Sequence, residues 1–473
     1  MLKKYIPSAF LDPQTIWLFL ALTIGLFIRA YFLSQPMRGD EAYTFLTYVN
    51  PGIRSLFEYS APNNHVLNTL LIKLSTSIFT ASPASIRFPA FFAGLAAIVL
   101  VFSLARSLDK SPNAGILAAA TVAIFPYLIL YSTNARGYTL IVALTLVIAW
   151  IGHRFSNHPS ASGVFWLALF SSLGMLAIPI MLFPVAGIFL WLVALLLIKR
   201  MPFQAVFRQF VLPFSILSIL LTIIFYLPVV LVSGLAPIIS NKFITPQSWN
   251  DFLTQIFPQL QKSFEELSHD LPPALLLSIF LLVLLGIFRF LKQRNWAALL
   301  LLPSFFIGAC LVLLIQHTTP YARTWIYLIP FIILPAEAGL LFLLEYLPRR
   351  AQTWINPILL VCAVFFAVNL ASKNSITAYP DTSAFPEAPI AVQYLKPIFK
   401  PGDTLRISPT ADWSVYFYFW YDGMSPALYE EAPSTGRIFF IRKKSRGPLG
   451  ETAAQKFTLL LDVGDMVLYQ GKK

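Results

Sequence analysis

Two adjacent carboxylates, Asp40 and Glu41, lie in the run Arg38-Gly39-Asp40-Glu41-Ala42-Tyr43, just beyond the first long apolar stretch of the chain. Ionised side chains are costly in hydrocarbon, so such a pair beside an apolar stretch belongs at a membrane–water boundary and has a task there. A carboxylate set against a hydroxyl can take its proton as the oxygen attacks an electrophile, which is general-base chemistry. Consecutive residues diverge in direction on a helix or a strand, so the two do not converge on one atom. Asp40 is the candidate base, and Glu41 its supporting neighbour, orienting a substrate or pairing with a cation. Arg136 and Arg323 fall at the ends of other apolar stretches. A guanidinium in that position suits a phosphate, because it keeps its charge near lipid and donates two parallel hydrogen bonds. Arg87, before Phe88-Pro89, reads as a structural clamp close to the site.

The elements that must position these groups are membrane spans. The chain has 473 residues, 57% of them hydrophobic and only 12% charged, with a mean hydropathy of +0.71. Soluble domains carry roughly 25% charged residues. Apolar runs near 16–33, 88–105, 113–131, 138–152, 163–178, 180–198, 210–232, 273–290, 297–315, 324–344 and 355–371 predict about eleven spans. The net charge of +13 does not point to nucleic acid, since the basic residues sit in short loops beside the spans. Lys3 and Lys4, Arg106 and Lys110, Arg154, Lys199 to Arg208, Arg289 to Arg294, and Arg349 and Arg350 fall on alternate loops. This places those loops and the N-terminus in the cytoplasm. The first span has no Ala-x-Ala-like cleavage site and is expected to remain as an anchor.

Three larger pieces then lie on the outer face: residues 34–87, about 233–272, and the tail from 372. The first holds an apolar stripe at helical spacing, Val66, Leu67, Leu70, Leu71, Leu74 and Ile78. This predicts an amphipathic helix in the membrane interface, capped by Asn63 and Asn64. The tail loses membrane character and shows strand-like runs at 404–407, 415–421, 437–442, 457–461 and 466–469, which predict a small α/β domain over 372–473. Cys310 and Cys362 fall in apolar spans and read as core-packing thiols. His65, His269 and His317 are expected outside, but three histidines on separate loops form no metal-ligating spacing.

Taken in order, several segments resemble one family. Arg29-Ala30-Tyr31-Phe32 with Asp40-Glu41-Ala42-Tyr43, then Asn63-Asn64-His65-Val66-Leu67, then Ser85-Ile86-Arg87-Phe88-Pro89-Ala90 with Gly94, resemble the opening of the polyprenyl-phosphate-sugar-dependent glycosyltransferases. These are the multi-spanning GT-C enzymes of the family 39, protein O-mannosyltransferase and aminoarabinose transferase group. Asn134-Ala135-Arg136-Gly137-Tyr138-Thr139-Leu140 is similar to that family's Ala-Arg-Pro-Tyr segment, and Arg323-Thr324-Trp325-Ile326-Tyr327-Leu328-Ile329-Pro330 to its Arg-Tyr-Leu-Leu-Pro segment. Two departures stand out: many relatives have His-Pro-Pro where this chain has Asn64-His65-Val66, and Gly137 replaces the usual proline.

The resemblance implies a GT-C transmembrane catalytic domain over 1–371, in which a sugar moves from a polyprenyl-phosphate-linked donor to an acceptor hydroxyl by inverting displacement. It assigns Asp40 and Glu41 to catalysis, Arg323 and Arg136 to the donor phosphate, and His65, Asn64, Tyr43, Tyr138 and His317 to substrate contact. No cofactor is required, although relatives differ in their use of a divalent metal, and no metal ligand is assigned. The implied partners are the lipid-linked donor, the bilayer, and a glycan, lipid or protein acceptor. The implied location is the plasma (inner) membrane, with the tail domain outside the cytoplasm. Two alternatives use the same features: a transporter or flippase of a polyprenyl-linked glycan, and a noncatalytic assembly subunit. A transporter commonly shows internal repeats and ionisable groups at mid-membrane. This chain has no detectable repeat, and its polar groups gather at one boundary.

Overall fold

A computed structural model describes residues 13–239, 245–400, 402–424, 437–447 and 457–472. The Lys3-Lys4 pair used to orient the first span lies outside the described residues. Helix α1 (Pro13–Leu33) is followed by the short α2 (Gly39–Thr44), which runs into a single π turn over Phe45–Val49. After α3 (Val66–Phe79) come α4 (Pro83–Leu108), α5 (Ile116–Ile124), α6 (Pro126–Ser132), α7 (Tyr138–Asn157), α8 (Ala161–Ala177), α9 (Leu182–Ile198) and α10 (Leu212–Ser233). Helix α11 (Trp249–Leu267) is amphipathic. The bundle ends with α12 (Pro273–Lys292), α13 (Trp296–Gln316), α14 (Leu328–Leu344) and α15 (Ile355–Lys373).

Among the described residues, eight helical stretches are long and apolar enough to cross a membrane. The expectation of about eleven differs for identifiable reasons. The stretches at 163–178 and 324–344 form the shorter helices α8 and α14, and the one at 113–131 is broken in two at Pro126. Proline lacks the N–H that would bond the carbonyl of Val122. Arg29, fully buried on α1, fills the gap by donating to the carbonyls of Val122 (3.0 Å) and Ala123 (2.5 Å). At the other end of α5, one carboxylate oxygen of Glu337 on α14 accepts from the backbone N–H groups of Gly115, Leu117 and Ala118 at 2.9–3.3 Å. The short helix is thus held by an acceptor oxygen at its N-terminus and a guanidinium donor at its C-terminus, which satisfy the N–H and C=O groups its ends leave open.

Outward side chains such as Ile219, Ile223, Leu277, Phe280, Phe365 and Val368 are exposed, as they must be against lipid. Since lipid is as apolar as leucine, helices there associate through close approach at small residues. Helices α12 and α14 cross at Gly286 and Gly339. A Cβ on Gly286 would lie 1.8 Å from the carbonyl oxygen of Pro335, and one on Gly339 2.0 Å from that of Leu282. Cys310 and Cys362 are exposed and not core-packed as expected.

Helix α3 forms where the sequence predicts it, with Val66 of its apolar stripe packed inward and the far end of the stripe turned away from the protein. Leu74 and Ile78 are exposed while Asn68, Thr69, Ile72 and Ser75 are buried. The asparagines do not cap it: His65 occupies the N-cap position with no side-chain bond, and Asn64 is engaged in the preceding loop.

Beyond α15 the described residues form a small α/β unit of α16 (Ala388–Leu395), α17 (Asp412–Tyr421) and strands β1 (Thr404–Ile407), β2 (Arg437–Lys443), β3 (Phe457–Val463) and β4 (Met466–Lys472). The sheet order is β1-β2-β4-β3, with β1 parallel to β2 and the other pairs antiparallel. The run 415–421, expected as a strand, is the helix α17. Its residues must serve two cores at once: Val415 and Phe419 pack in the sheet domain, while Phe417 and Trp420 meet Phe45 at 5.8 and 4.9 Å. Spacings of three and four satisfy both, and strand alternation would not; packing overrides the β propensity of the aromatics.

Arg29→Met leaves two buried carbonyls without donors, at about 1–3 kcal/mol each. Its thermal unfolding midpoint in detergent is expected to fall by several degrees. A midpoint equal to wild type would refute this role of Arg29.

Candidate active site

The two neighbouring carboxylates part company on α2. Glu41 is fully buried and saturated: one oxygen accepts from the backbone N–H of Arg38 (2.9 Å) and Arg87 Nη2, the other from Arg87 Nε (3.0 Å) and the N–H of Ala135 (2.8 Å). No oxygen is left for a substrate, so the grouping of Glu41 with the catalytic residues is corrected to a structural role. Arg87, also fully buried, donates in addition to the carbonyls of Leu33 (2.8 Å), Gln35 (2.5 Å) and Pro36 (3.0 Å). Together they lock the turn that leads into α2 against α4 and the loop before α7.

Asp40 instead keeps 22% of its side chain open, and its closest cation is Arg136, with Nη2 3.8 Å from Oδ2. Arg136 is buried and aimed by Asn63, donating to its carbonyl (3.2 Å) and its side-chain oxygen (3.1 Å). Tyr138, the first residue of α7, lies between the two predicted phosphate ligands. The guanidinium carbons of Arg136 and Arg323 are 6.0 and 5.9 Å from its ring centre, within cation–π range. Arg323 sits on a 3₁₀ turn, Ala322–Trp325, ahead of α14, and donates to Asp381 (3.2 Å). Burial works against its charge, but Tyr138, Tyr131, Asp381 and Asp40 more than offset this and raise its pKa above the ordinary value. Arg323 is therefore a permanent cation facing Asp40 and Asp381.

Asp381 was not legible as a site residue. It lies in the turn Tyr379-Pro380-Asp381, in sequence an ordinary turn at the start of the tail. Its carboxylate receives Arg323, the hydroxyl of the buried Tyr131 and the N–H of Thr382 (2.7 Å). Arg38 brings this segment to the bundle by donating to the carbonyls of Ile376, Tyr379 and Asp381. The approach is close enough that a Cβ on Gly39 would lie 2.7 Å from that of Ser383. Glu266, in the last turn of α11, faces the same cluster; partial burial and then Asp381 raise its pKa.

Three predicted substrate contacts are occupied otherwise. Asn64 donates to the carbonyls of Leu56 (3.0 Å) and Glu58 (2.7 Å) and accepts from Thr69 (2.7 Å), which fixes its loop and leaves nothing to bind with. His65 is buried and accepts the N–H of Gly137 on Nδ1 at 2.9 Å. Burial, then Arg136 and Arg323, push its pKa well below the usual value, so it is a neutral ring and not a cation. His317 stacks on Trp249 (4.0 Å) and Phe252 (5.8 Å) of α11 and belongs to that packing. Tyr43 lies one turn beyond Asp40, against Trp413 of α17. Among the described residues no group of three or more His, Cys, Asp or Glu could hold a metal ion.

A family profile described as dolichyl-phosphate-mannose-protein mannosyltransferase matches residues 65–231. In three dimensions the chain is similar to ArnT from Cupriavidus metallidurans in the apo state, with a TM-score of 0.57 and 13% identity, covering 97% of this chain and 98% of that one. It is equally similar to ArnT from the same organism bound to undecaprenyl phosphate, at 0.57, 13%, 96% and 98%. The chain has the GT-C fold. A search of curated protein sequences gives no match. Within this fold the two halves of one dipeptide have separate duties, and a simple contrast tests them. Glu41→Gln strips the charge from a buried ion pair, and is expected to destabilise by about 3–5 kcal/mol. Asp40→Asn is expected to unfold at the wild-type temperature. Equal melting of the two variants would refute the division.

Proposed function

We propose that the enzyme transfers a sugar from a polyprenyl-phosphate donor to an acceptor hydroxyl, with Asp40 as general base and Arg136 and Arg323 on the donor phosphate. The observation that carries this reading is the placement of one partly open carboxylate, Asp40, beside two guanidiniums that both lie about 6 Å from the ring centre of Tyr138. The acceptor oxygen attacks the anomeric carbon while its proton passes to Asp40. The bond from that carbon to the phosphate oxygen breaks, and the polyprenyl phosphate leaves with the electron pair. Direct displacement inverts the anomeric centre. The phosphate develops its extra charge next to fixed cations, which is where preorganised electrostatics is most effective. Asp381 and Tyr131 act as positioning residues that hold Arg323.

The ArnT structure with undecaprenyl phosphate supports the donor class. The orientation follows from charge. Helices α4, α7 and α12 carry Arg106, Arg154 and Arg289 in their last turns, and α4 and α7 begin near the site at Arg87 and Tyr138. The basic ends therefore face the cytoplasm and the site faces away from it, in a cell membrane.

Asp40→Asn is expected to lower transfer by about 10²- to 10⁴-fold with donor binding retained, the usual value of general-base help. Turnover near wild type, read with radiolabelled lipid-linked sugar, would sink the base assignment. Arg323→Ala is expected to raise the donor concentration for half-saturation by tenfold or more, about 1.4 kcal/mol or above; unchanged donor saturation would remove it from the phosphate site.

A further inference from the structure

The transfer reading leaves the acceptor open, and the surface beside Asp40 bears on it. Tyr43 lies three residues after Asp40 on α2, hence on the same side of the helix. Its ring meets Trp413 edge-on, with centres 4.7 Å apart at 82°, and Trp413 meets Tyr416 in the same manner at 5.7 Å. All three rings are half-buried, so each shows part of its surface, and Asp412 beside them is half-buried too. The strip is rigid. The Tyr43 hydroxyl lies 3.3 Å from that of Tyr48, which in turn lies 3.0 Å from Ser60, and the Tyr418 hydroxyl accepts the N–H of Met37 at 3.0 Å. These contacts bind α17 to the helix that carries Asp40.

Resting on the glycosyltransferase reading above, we propose that Tyr43, Trp413 and Tyr416 form the acceptor platform, and that the acceptor is an uncharged carbohydrate. A sugar ring has an apolar C–H face that lies flat on an aromatic ring, and hydroxyls at its rim for groups such as the Asp412 carboxylate and the Tyr43 phenol. Aromatic rings supply large, stiff contact area with a polar tip, which suits such a ligand. Two of the three rings stand on α17 of the α/β unit and the third on the short α2, none of them on a lipid-facing helix, so the platform receives an acceptor from the aqueous side. A phosphorylated acceptor would need cations of its own, and both guanidiniums of the site are assigned to the donor phosphate. One turn of α2 separates the platform from the base, so a glycan seated on the rings brings a hydroxyl to Asp40.

The test uses the full-length protein in nanodiscs on an array carrying neutral oligosaccharides, anionic oligosaccharides and aromatic peptides. Wild type is expected to retain neutral oligosaccharides. Trp413→Leu is expected to bind them about tenfold more weakly, and Trp413→Tyr within about threefold, from the size of aromatic stacking contributions. Saturation-transfer NMR on wild type adds a readout that needs no variant: sugar C–H protons are expected to receive magnetisation from the protein. Neutral glycans that fail to bind, binding confined to peptides or anionic glycans, or a folded Trp413→Leu that binds as wild type would each overturn the platform. The transfer reading fails separately. Neutral-glycan binding with no consumption of polyprenyl-phosphate sugar would refute transfer, while donor consumption without glycan binding would refute the platform alone.

Discussion

A carboxylate buried without solvent must be answered completely, and the pairing of Glu41 with Arg87 answers it with groups from four separate parts of the chain. Taking both charges from water costs several kcal/mol per ion, and only good geometry with every remaining donor and acceptor satisfied repays it. Here the Arg38 and Ala135 N–H groups fill the remaining positions on Glu41, and the carbonyls of Leu33, Gln35 and Pro36 fill those on Arg87. A one-residue slip of α2 would strand these charges. The pair thus fixes the rotation of α2, and that rotation is what turns Asp40 outward. It also fixes Ala135, and with it the neighbouring Arg136, so Asp40 and the guanidinium beside it are placed by a single buried interaction.

Cations in this protein divide by what surrounds them. Arg29, Arg38 and Arg87 are sunk in the fold and spend their donors mainly on carbonyl oxygens that helix breaks and turns leave open. Arg136 and Arg323 are matched instead to polar groups around Tyr138. The first group satisfies the backbone in a medium without water, where each orphaned carbonyl is expensive. The second presents charge. Their shared dependence is visible at Arg38, which ties the segment bearing Asp381 to α2 and so delivers Arg323's partner to the site.

The membrane segments were largely legible because apolar length is a strong, local signal. The separation of Asp40 from Glu41 was legible in part, since neighbours on a helix must diverge. What escaped was everything decided by distant contacts. Asn64 and His317 looked like exposed polar groups and are consumed by loop and helix packing. Asp381 carried no local mark, as its role depends on Tyr131, 250 residues away. The run 415–421 has the composition of a strand, and only the need to cover two cores makes it helical. The stripe on α3, by contrast, was legible in its period, and Leu74 and Ile78 are turned away from the protein.

One departure from the family pattern, weak as a sequence observation, acquires a physical meaning in the structure. A proline at position 137 would have no N–H, while Gly137 donates one to Nδ1 of His65. Accepting that bond requires a neutral ring with its proton on Nε2. The positive surroundings of Arg136 and Arg323 favour the same state. The glycine and the histidine therefore form one unit: the histidine needs the donor that the glycine supplies, and the bond ties the loop after Asn63 to the start of α7. Since Asn63 aims Arg136 and α7 begins with Tyr138, this bond helps to place Arg136 against the Tyr138 ring. Proline at 137 or loss of the imidazole at 65 breaks it, so the two departures are best understood as a single exchange.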